Sequence, residues 1–403
     1  MKKKLIIIGG GAAGFFAAIN GAELNPDLEV IILEGSNNVL QKVKVSGGGR
    51  CNVTHACFTP NELVEFYPRG KKELRGPFYQ FMTGDTMEWF ENRGISLKIE
   101  DDNRVFPASN SSQTIIDCFL ESAKKAGVIL KTSTRVDTIE KSNDKFIVKT
   151  NSDEFIADYL LVASGSNSKV WQMVSALGHI VVPPVPSLFT FNIEDSRLKD
   201  IPGTSVPMAS VKVLNSNLKE QGPLLITHWG LSGPGILKLS AWGALELNEK
   251  DYQFEIEVNW LSQKTETVLE VLKSAKKEHS KKQVILRSVF EVISKRLWEK
   301  QVIAAQISTD SQWAQLNNKQ LEDLAKQLTQ CTFKVNGKST FKDEFVTAGG
   351  IDLKEINFKR YESKLHPNLF FAGEVLNIDA ITGGFNFQNA WTSGWIVANS
   401  VGS

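Results

Sequence analysis

Apolar and polar positions follow one another in blocks at the N-terminus. Residues 4–8 end in a run of apolar side chains, which predicts a buried strand. Residues 12–24 have the length and small-residue content of a helix. The Asn-Pro-Asp tripeptide at residues 25–27 breaks that helix, and residues 29–33 predict a second strand. A strand, a helix and a strand within about thirty residues predict a βαβ unit.

The pattern then changes to short strands. Residues 135–139, 146–150 and 154–157 read as three strands joined by polar turns, and the buried strand of "DYLLVASGS", residues 158–166, follows. Near the C-terminus, residues 368–395 predict another buried strand, a glycine turn at 383–384 and a helix from about Asn386. We therefore predict an α/β fold in which a parallel sheet is interrupted by an antiparallel meander.

The middle of the chain shows a different pattern of apolar and polar positions. Residues 187–260 are rich in short alternating strands, whereas residues 261–330 show helical periodicity and almost no glycine. Residues 332–341 predict a returning hairpin with Asn336 and Gly337 at its turn. The predicted domains are residues 1–186 and 343–403 for the α/β part, residues 187–260 continued at 331–342 for a β-rich insertion, and residues 261–330 for a helical subdomain.

Composition narrows the classes of function. The chain carries 46 basic and 45 acidic side chains, so a nucleic-acid partner is not expected, and we interpret the lysine-rich residues 276–282 as a solvated helix end or linker. Four cysteines without a CxxC pair favour a reducing cytosol, and the histidines have no spacing that would ligate a metal. The N-terminal apolar run is too short for a signal peptide or a membrane span. We expect a cytoplasmic protein with a small-molecule substrate; its oligomeric state stays open.

The first turn carries the strongest chemical motif. In Gly9-x-Gly11-x-x-Gly14, the first glycine permits a tight turn, the second lets a pyrophosphate approach the backbone, and the third lets helix and strand pack closely. The helix start at Ala12 and Ala13 offers free N–H groups to the phosphates. Glu34, twenty residues after Gly14, is placed to bind both ribose hydroxyls of an adenosine. The alternative is a glycine-rich turn with an incidental glutamate.

This motif alone does not separate NAD from FAD, because both present an ADP half to such a turn. The meander before the return strand is typical of flavoproteins with two dinucleotide folds, which bind FAD. The Gly373-Glu374 pair after the last strand indicates that the flavin is held by the C-terminal end of the chain. No second Gly-x-Gly-x-x-Gly occurs, so NADH or NADPH is expected at most as a transient second substrate. A plain NAD-dependent dehydrogenase remains a weaker alternative.

Four further segments carry a family resemblance. "SGGGRCNVT" (46–54), "THWGLSGP" (227–234), "TAGGI" (347–351) and "LFFAGEVLNIDAITGGFNFQNAW" (369–391) resemble the BaiN and aminoacetone-oxidase-like bacterial flavoproteins. The resemblance covers essentially the whole chain. It implies bound FAD, a Rossmann-like two-dinucleotide-binding domain assembled from both chain ends, an inserted β-rich part and a small helical part. It also implies oxidation of amines or reduction of steroid-like enones, without deciding between them.

The loop at residues 40–52 is expected to line the pyrophosphate and the flavin. Arg50 is our candidate for a charged group beside the isoalloxazine, where a cation favours the reduced form, although a surface salt bridge would explain it equally well. Cys51 is expected to be inert. A helix beginning near Phe385 or Asn386 would direct its N–H groups at flavin N1 and the C2 carbonyl. The predicted cofactor-binding residues are Gly9, Gly11, Ala12, Ala13, Gly14, Glu34, Gln41, Lys42, Ser46, Gly47, Gly48, Arg50, Val136, Gly165, Gly373, Glu374, Gly384, Phe385 and Asn386.

His228 is the second catalytic candidate, as an acid–base group beside a glycine turn, although a histidine that merely braces the turn fits the same pattern. Trp229, Trp391 and Trp395 either wall a substrate cavity or belong to the core. The sequence thus predicts an FAD-dependent oxidoreductase that transfers a hydride between flavin N5 and a small amine or enone, in a cleft between the FAD domain and the insertion. A flavin-dependent enzyme that modifies RNA or nucleotides is the alternative.

Overall fold

A parallel sheet forms the centre of the first structural unit. The computed structural model describes residues 2–339 and 346–402. The sheet contains, in spatial order, Ile356–Asn357, Glu362–Ser363, Leu369–Phe371, Tyr159–Val162, Lys4–Ile8, Glu29–Leu33 and Ile129–Lys131. The last five strands are parallel, and the first two pair antiparallel at one edge. Apolar strands of this kind are typical of buried parallel sheets, and the predicted α/β class is confirmed.

Smaller elements complete this unit. The predicted meander is present as Val136–Ser142, Lys145–Thr150 and Glu154–Ala157. A second three-stranded sheet contains Thr54–His55, Leu97–Ile99 and Arg104–Pro107, and Val181–Ser187 pairs with Val346–Ile351. The α-helices are Ala12–Leu24, Gln41–Gly49, Pro60–Leu63, Lys71–Phe78, Thr83–Glu91, Ser112–Lys125, Ser168–Ala176 and Phe385–Ser400.

The two ends of the chain meet through two helices of this unit. A Cβ on Gly394 would lie 3.0 Å from the carbonyl oxygen of Ala13 and 3.1 Å from the nitrogen of Ala17, so the absence of a side chain lets the C-terminal helix approach the first helix closely. The rings of Phe16 and Trp391 are 5.4 Å apart across the same interface. This packing brings the N-terminal glycine turn near the segment that follows the last parallel strand.

The second unit runs from Pro186 to the gap in the described residues. Its sheet contains, in spatial order, Cys331–Asn336, Gln253–Asn259, Ser205–Val213, Lys219–Thr227, Gly230–Ser232, Thr190–Asn192 and Lys338–Ser339. Its helices are Pro234–Trp242, Ala244–Glu249, Thr265–Glu278, Lys295–Ala304 and Asn318–Thr329. The first two of these helices lie in the stretch expected to be rich in short strands. One of them, "PGILKLSAW", begins with a proline that suits a first helical turn.

The predicted hairpin at residues 332–341 is wrong where it is described, and residues 340–341 lie outside the described residues. The strands on either side of Gly337 do not pair with each other, since one bonds to Gln253–Asn259 and the other to Thr190–Asn192. The Gly337 N–H donates to the carbonyl of Tyr252 at 2.9 Å, and its own carbonyl accepts from the N–H of Asn192 at 3.0 Å. Gly337 therefore joins the two end strands, and the sheet closes on itself.

The helical stretch at residues 261–330 shares its core with this closed sheet. Trp260, Leu272 and Trp298 are fully buried in one apolar cluster that also contains residues of the strands. The backbone N–H of Trp260 donates to the carbonyl of Leu328 at 2.9 Å. The domain boundaries written above remain a prediction. Over the described part of the chain, no helix has the length and apolar character needed to cross a bilayer.

A buried histidine lies at the antiparallel edge of the first unit. His179 Nδ1 is 2.7 Å from Glu355 Oε2, and its Nε2 is 2.9 Å from Ser363 Oγ. Ser363 Oγ already accepts from the N–H groups of Leu365 and His366, so its hydroxyl has only its proton left to offer to Nε2. This arrangement suits a neutral ring, and burial lowers the pKa of His179 below its ordinary value of 6.5, against the opposing effect of Glu355.

Acidification should therefore weaken the fold through His179. Because the unfolded chain takes up this proton near pH 6.5 while the folded protein resists it, the stabilising contribution is complete above that pH and is lost as the pH falls through the lower folded pKa. Denaturant unfolding of the wild type and of His179→Gln across this window measures the contribution. The free energy of unfolding of the variant should fall less steeply on acidification, and parallel slopes would contradict the neutral assignment.

Candidate active site

The three glycines of the first turn meet different surroundings. A Cβ on Gly9, which has φ +113°, would lie 2.5 Å from the carbonyl oxygen of Ala163, and a Cβ on Gly14 would collide with the carbonyl oxygen of Gly9. Packing thus requires glycine at both positions, as predicted for Gly14, and the positive φ of Gly9 fits the tight turn predicted there. Around a Cβ on Gly11, by contrast, no described residue other than its two chain neighbours has an atom within 4 Å. The space before the first helix is open at the position expected for a pyrophosphate.

Glu34 holds the second side of this turn. Its Oε2 accepts from the N–H of Gly10 and its Oε1 from the N–H of Ser36, both at 2.8 Å. A carboxylate has about four acceptor sites, so two remain for ribose hydroxyls. The carbonyl of Glu34 accepts from the N–H of Thr134 at 2.8 Å, which places the start of the Val136 strand beside the same end of the site.

Removing the Glu34 carboxylate should weaken cofactor binding. We expect Glu34→Ala to bind FAD roughly 10- to 100-fold more weakly, since charge-assisted hydrogen bonds contribute about 1.5–3 kcal/mol. Equilibrium dialysis of the flavin measures this change. Glu34→Gln keeps the shape and one acceptor oxygen and should lose less; FAD retention by Glu34→Ala equal to that of the wild type would contradict the assignment.

Lys42 and Glu374 come together although 332 positions separate them. The Lys42 Nζ forms an ion pair with Glu374 Oε2, while Glu374 Oε1 accepts from the N–H of Thr347 at 3.1 Å. A Cβ on Gly165 would lie 3.7 Å from the same Oε2, and one on Gly373 would lie 3.1 Å from the Cβ of Ala13. Predicted residues from both ends of the chain thus surround the turn at residues 9–14.

The stretch expected to be a loop at residues 40–52 begins instead as a helix. Gln41 starts it, and the left-handed Leu40 before it donates its N–H to the carbonyl of Gly10 at 2.9 Å. Regular geometry then breaks at Ser46, and residues 47–49 all have positive φ. The short apolar spacing of "LQKVKV" favours one helical turn, whereas glycines permit the left-handed backbone that follows. Cβ atoms on Gly48 and Gly49 would meet no described atom within 4 Å.

Arg50 is held at the end of this loop. Its Nη1 is 2.6 Å from Glu100 Oε1, and its guanidinium lies 3.9 Å from the centroid of the Phe106 ring. Arg50 thus forms a salt bridge with Glu100, as the alternative explanation of this residue requires. Its catalytic role stays a prediction. The neighbouring Cys51 is fully buried, and burial raises the pKa of its thiol to about 12. A thiol that stays protonated is a poor nucleophile.

The C-terminal helix begins at Phe385, as predicted, with the left-handed Gly384 as its N-cap. The side chain of Asn386 does not cap this helix. Its Oδ1 accepts from the N–H of Ala380 at 3.0 Å and its Nδ2 donates to the carbonyl of Ala380 at 3.2 Å, so the amide closes the preceding loop. The hydroxyl of Tyr67 donates to the carbonyl of Phe385 at 2.5 Å and fixes the first turn.

His228 belongs to the other unit. It lies exposed in the tight turn between the strands Lys219–Thr227 and Gly230–Ser232. Its acid–base role stays a prediction. Of the three tryptophans, Trp391 is fully buried and donates to the carbonyl of Val53 at 2.9 Å, which makes it a core residue.

The residues present fit FAD. Two buried hydroxyls, Ser164 Oγ and Thr347 Oγ1, make no hydrogen bond to any described residue, and the backbone N–H of Thr347 donates to Glu374. Ser164 is the second residue after the return strand Tyr159–Val162, and its Cα lies 2.9 Å from a Cβ placed on Gly9. Buried hydroxyls of this kind are normally satisfied, and a phosphate or ribose would supply the acceptors or donors they lack.

Three polar residues of this region were not predicted from the sequence. Ser164, Thr347 and Asn52 are not among the predicted site residues, although each lies in a glycine-containing segment. The signal available was position: Ser164 directly precedes Gly165, Thr347 begins "TAGGI", and Asn52 closes "SGGGRCN". Their side chains are recognised as candidates only because folding buries Ser164 Oγ, Thr347 Oγ1 and Asn52 Oδ1 without a hydrogen-bond partner in the described part of the chain.

The sequence model of one protein family, the HI0933-like protein Rossmann domain, matches residues 3–400. The chain belongs to this family. It is 26% identical to the 3-dehydro-bile acid delta(4,6)-reductase of Clostridium scindens, with 98% of each chain covered. It is 28% identical to the ribosomal RNA dihydrouridine synthase of Haemophilus influenzae, again over 98% of each chain, and 27% identical to that of Escherichia coli, over 98% and 97%.

A solved structure shares the fold. The 3-ketosteroid-delta4-(5alpha)-dehydrogenase of Rhodococcus jostii RHA1 superposes with a TM-score of 0.50 at 13% identity, covering 98% of this chain and 97% of that one. At this identity the likeness concerns the fold alone. With the family assignment, the prediction of an FAD-dependent oxidoreductase is confirmed.

Proposed function

We propose that this oxidoreductase reduces a carbon–carbon double bond conjugated with a carbonyl group. The observation that carries the proposal is the full-length similarity to relatives whose named reactions share this chemistry. A 3-dehydro steroid with a delta(4,6) system has its double bonds conjugated with the C3 carbonyl. In uridine, the C5–C6 bond is conjugated with the C4 carbonyl. In both cases, a hydride adds to the carbon remote from the carbonyl and a proton adds to the other.

When bound, FAD supplies the centre that exchanges hydride with the substrate. The protein's part is to hold that group. The open backbone at Gly11 and the first helix would receive the pyrophosphate, Glu34 the ribose, and the Lys42–Glu374 pair the region between the two chain ends. The start of the helix at Phe385 carries a partial positive charge that favours electron-rich flavin. NADH or NADPH is proposed as the visiting reductant that restores the reduced cofactor.

Arg50 and His228 remain our catalytic candidates with separate roles. Arg50 is always charged, so its proposed contribution is electrostatic, at the end of the glycine loop. His228 is exposed in a turn and is proposed as the proton donor. Replacing His228 by Asn should then slow substrate reduction without changing FAD binding.

A second candidate is reduction of uridine within RNA. Two of the relatives above are named for it at 27–28% identity. The stretch from residue 273 to residue 296 also contains eight Lys and Arg against two Glu, and Lys281, Lys282 and Arg287 are exposed. Exposed cations of this density attract phosphate backbones, and such binding would weaken steeply with salt. The near-neutral total charge argues against a broad nucleic-acid surface.

A single anaerobic experiment tests both candidates. The FAD-loaded full chain is reduced with dithionite and mixed with a 3-keto-4-ene steroid, with uridine, or with ribosomal RNA lacking dihydrouridine, while the visible flavin band is followed. Return of the band with the steroid, and a product two hydrogens heavier by mass spectrometry, supports enone reduction. The saturated 3-keto steroid is the matched control. Return only with RNA favours the second candidate. In a separate anaerobic mixing, the oxidised enzyme is exposed to amines, and bleaching there without any return of the band in the first mixing would overturn both.

A further inference from the structure

Asn52 lies between the two glycine segments expected to hold the flavin. A Cβ on Gly47 would lie 3.1 Å from the backbone nitrogen of Asn52, and a Cβ on Gly384 would lie 2.7 Å from its Oδ1. Asn52 is 8% exposed, and its Oδ1 makes no hydrogen bond to any described residue. A buried amide oxygen without a donor is costly, so this atom is expected to have a partner in the functional protein.

The surroundings of Asn52 offer a matching set of donors. The helix Phe385–Ser400 is sixteen residues long, and its N-cap Gly384 has no side chain to accept from its first N–H groups. The polar side chains near this start are already engaged. Asn386 bonds to the backbone of Ala380, and Gln388 Oε1 accepts from Thr54 and Thr86. The acceptor oxygen of Asn52 therefore lies beside the N-cap residue of a helix whose first N–H groups receive no side-chain cap, next to a glycine loop.

We propose that Asn52 is a flavin-positioning residue whose Oδ1 accepts a hydrogen bond from N3–H of the isoalloxazine ring. The pyrimidine edge of that ring presents one N–H donor flanked by carbonyl oxygens. Asn52 Oδ1 would accept from this N–H, and the N–H groups at the helix start would donate to one of the carbonyl oxygens. The inference rests on the FAD dependence in the proposed function and is independent of the substrate. Gly384 is also required here, because a side chain at that position would collide with Asn52 Oδ1.

A flavin lacking the N3 proton isolates this contact. The full chain is stripped of flavin and reconstituted with FAD or with 3-methyl-FAD, and the two dissociation constants are measured by quenching of flavin fluorescence. The wild type should bind 3-methyl-FAD roughly tenfold more weakly than FAD, the factor that corresponds to one buried hydrogen bond. In Asn52→Ala this preference should shrink to about threefold or less, whereas Asn52→Asp, which keeps an acceptor oxygen, should retain it.

Asn389→Ala is the matched control. Asn389 belongs to the helix Phe385–Ser400 and is 2% exposed, and its Oδ1 also lacks a partner among the described residues. It lies more than one helical turn after the N-cap Gly384, whereas Asn52 Oδ1 lies beside Gly384. This variant should keep the full preference for FAD. If Asn52→Ala loses affinity for both flavins equally, or if it keeps the wild-type preference, the N3 contact is wrong. If the wild type binds neither flavin, the failure lies with FAD dependence itself.

Discussion

Gly11→Val should yield a folded but colourless protein. Gly11 has φ −96° and ψ −168°, an extended conformation that valine adopts readily, and its Cβ would enter space that no described atom occupies. The side chain would fill the region in front of the first helix where the pyrophosphate is expected. We expect FAD affinity to fall by roughly a hundredfold or more, equivalent to about 2.7 kcal/mol, measured by flavin content and by titration of the stripped protein.

Gly14→Ala provides the contrasting variant. Its Cβ would collide with the carbonyl oxygen of Gly9, so helix and strand would have to move apart, at a cost of about 1–3 kcal/mol in the free energy of unfolding. Thermal melts of the stripped proteins should place Gly11→Val near the wild type and Gly14→Ala well below it. A yellow Gly11→Val protein that holds flavin through dialysis would refute the placement of the pyrophosphate.

The contrast between these glycines also indicates how far sequence reasoning reaches. The requirements at Gly9 and Gly14 arise within a βαβ unit of adjacent elements, so their spacing along the chain is enough to predict them. The three-stranded meander and the buried return strand were predicted for the same reason, since alternation and turn residues are local signals. Even the start of the C-terminal helix follows from its glycine turn.

Long-range partners could not be predicted in this way. Nothing near Lys42 in the sequence indicates Glu374, and nothing near Arg50 indicates Glu100 and Phe106. The error at Gly337 has the same origin. Asn-Gly between two polar–apolar alternations is a strong hairpin signal, but the backbone hydrogen bonds of these strands go to Gln253–Asn259 and Thr190–Asn192, which lie far away in the chain. Local propensity identified the strands; the closure of the whole sheet decided their partners.

A buried ion pair shows the energetic side of such contacts. Asp379 lies within the segment between Glu374 and Gly384, and its side chain is fully buried. Arg69 forms two hydrogen bonds to it, one to each carboxylate oxygen. The backbones of the two residues form a β-bridge. A Cβ on Gly70 would lie 2.7 Å from Ile378 Cγ1, so the two segments are in close contact. Arg69 thereby holds the approach to the Gly384 turn.

Arg69→Met should be among the most destabilising single substitutions in this unit. Loss of one partner of a buried pair costs about 3–5 kcal/mol, because the remaining charge stays in a poorly solvated place. Lys71→Met is the matched control: Lys71 pairs with Glu65 on the surface, where both side chains are about half exposed, and such pairs contribute at most about 1 kcal/mol. Urea unfolding of the stripped and FAD-loaded proteins measures both. The loaded Arg69→Met protein should lose more than the stripped one, because the displaced segment leads into the turn proposed to hold the flavin. Equal losses of unfolding free energy in the two forms would show that this ion pair does not affect cofactor binding. A loss no larger than that of Lys71→Met would show that Asp379 is stabilised mainly by its backbone surroundings.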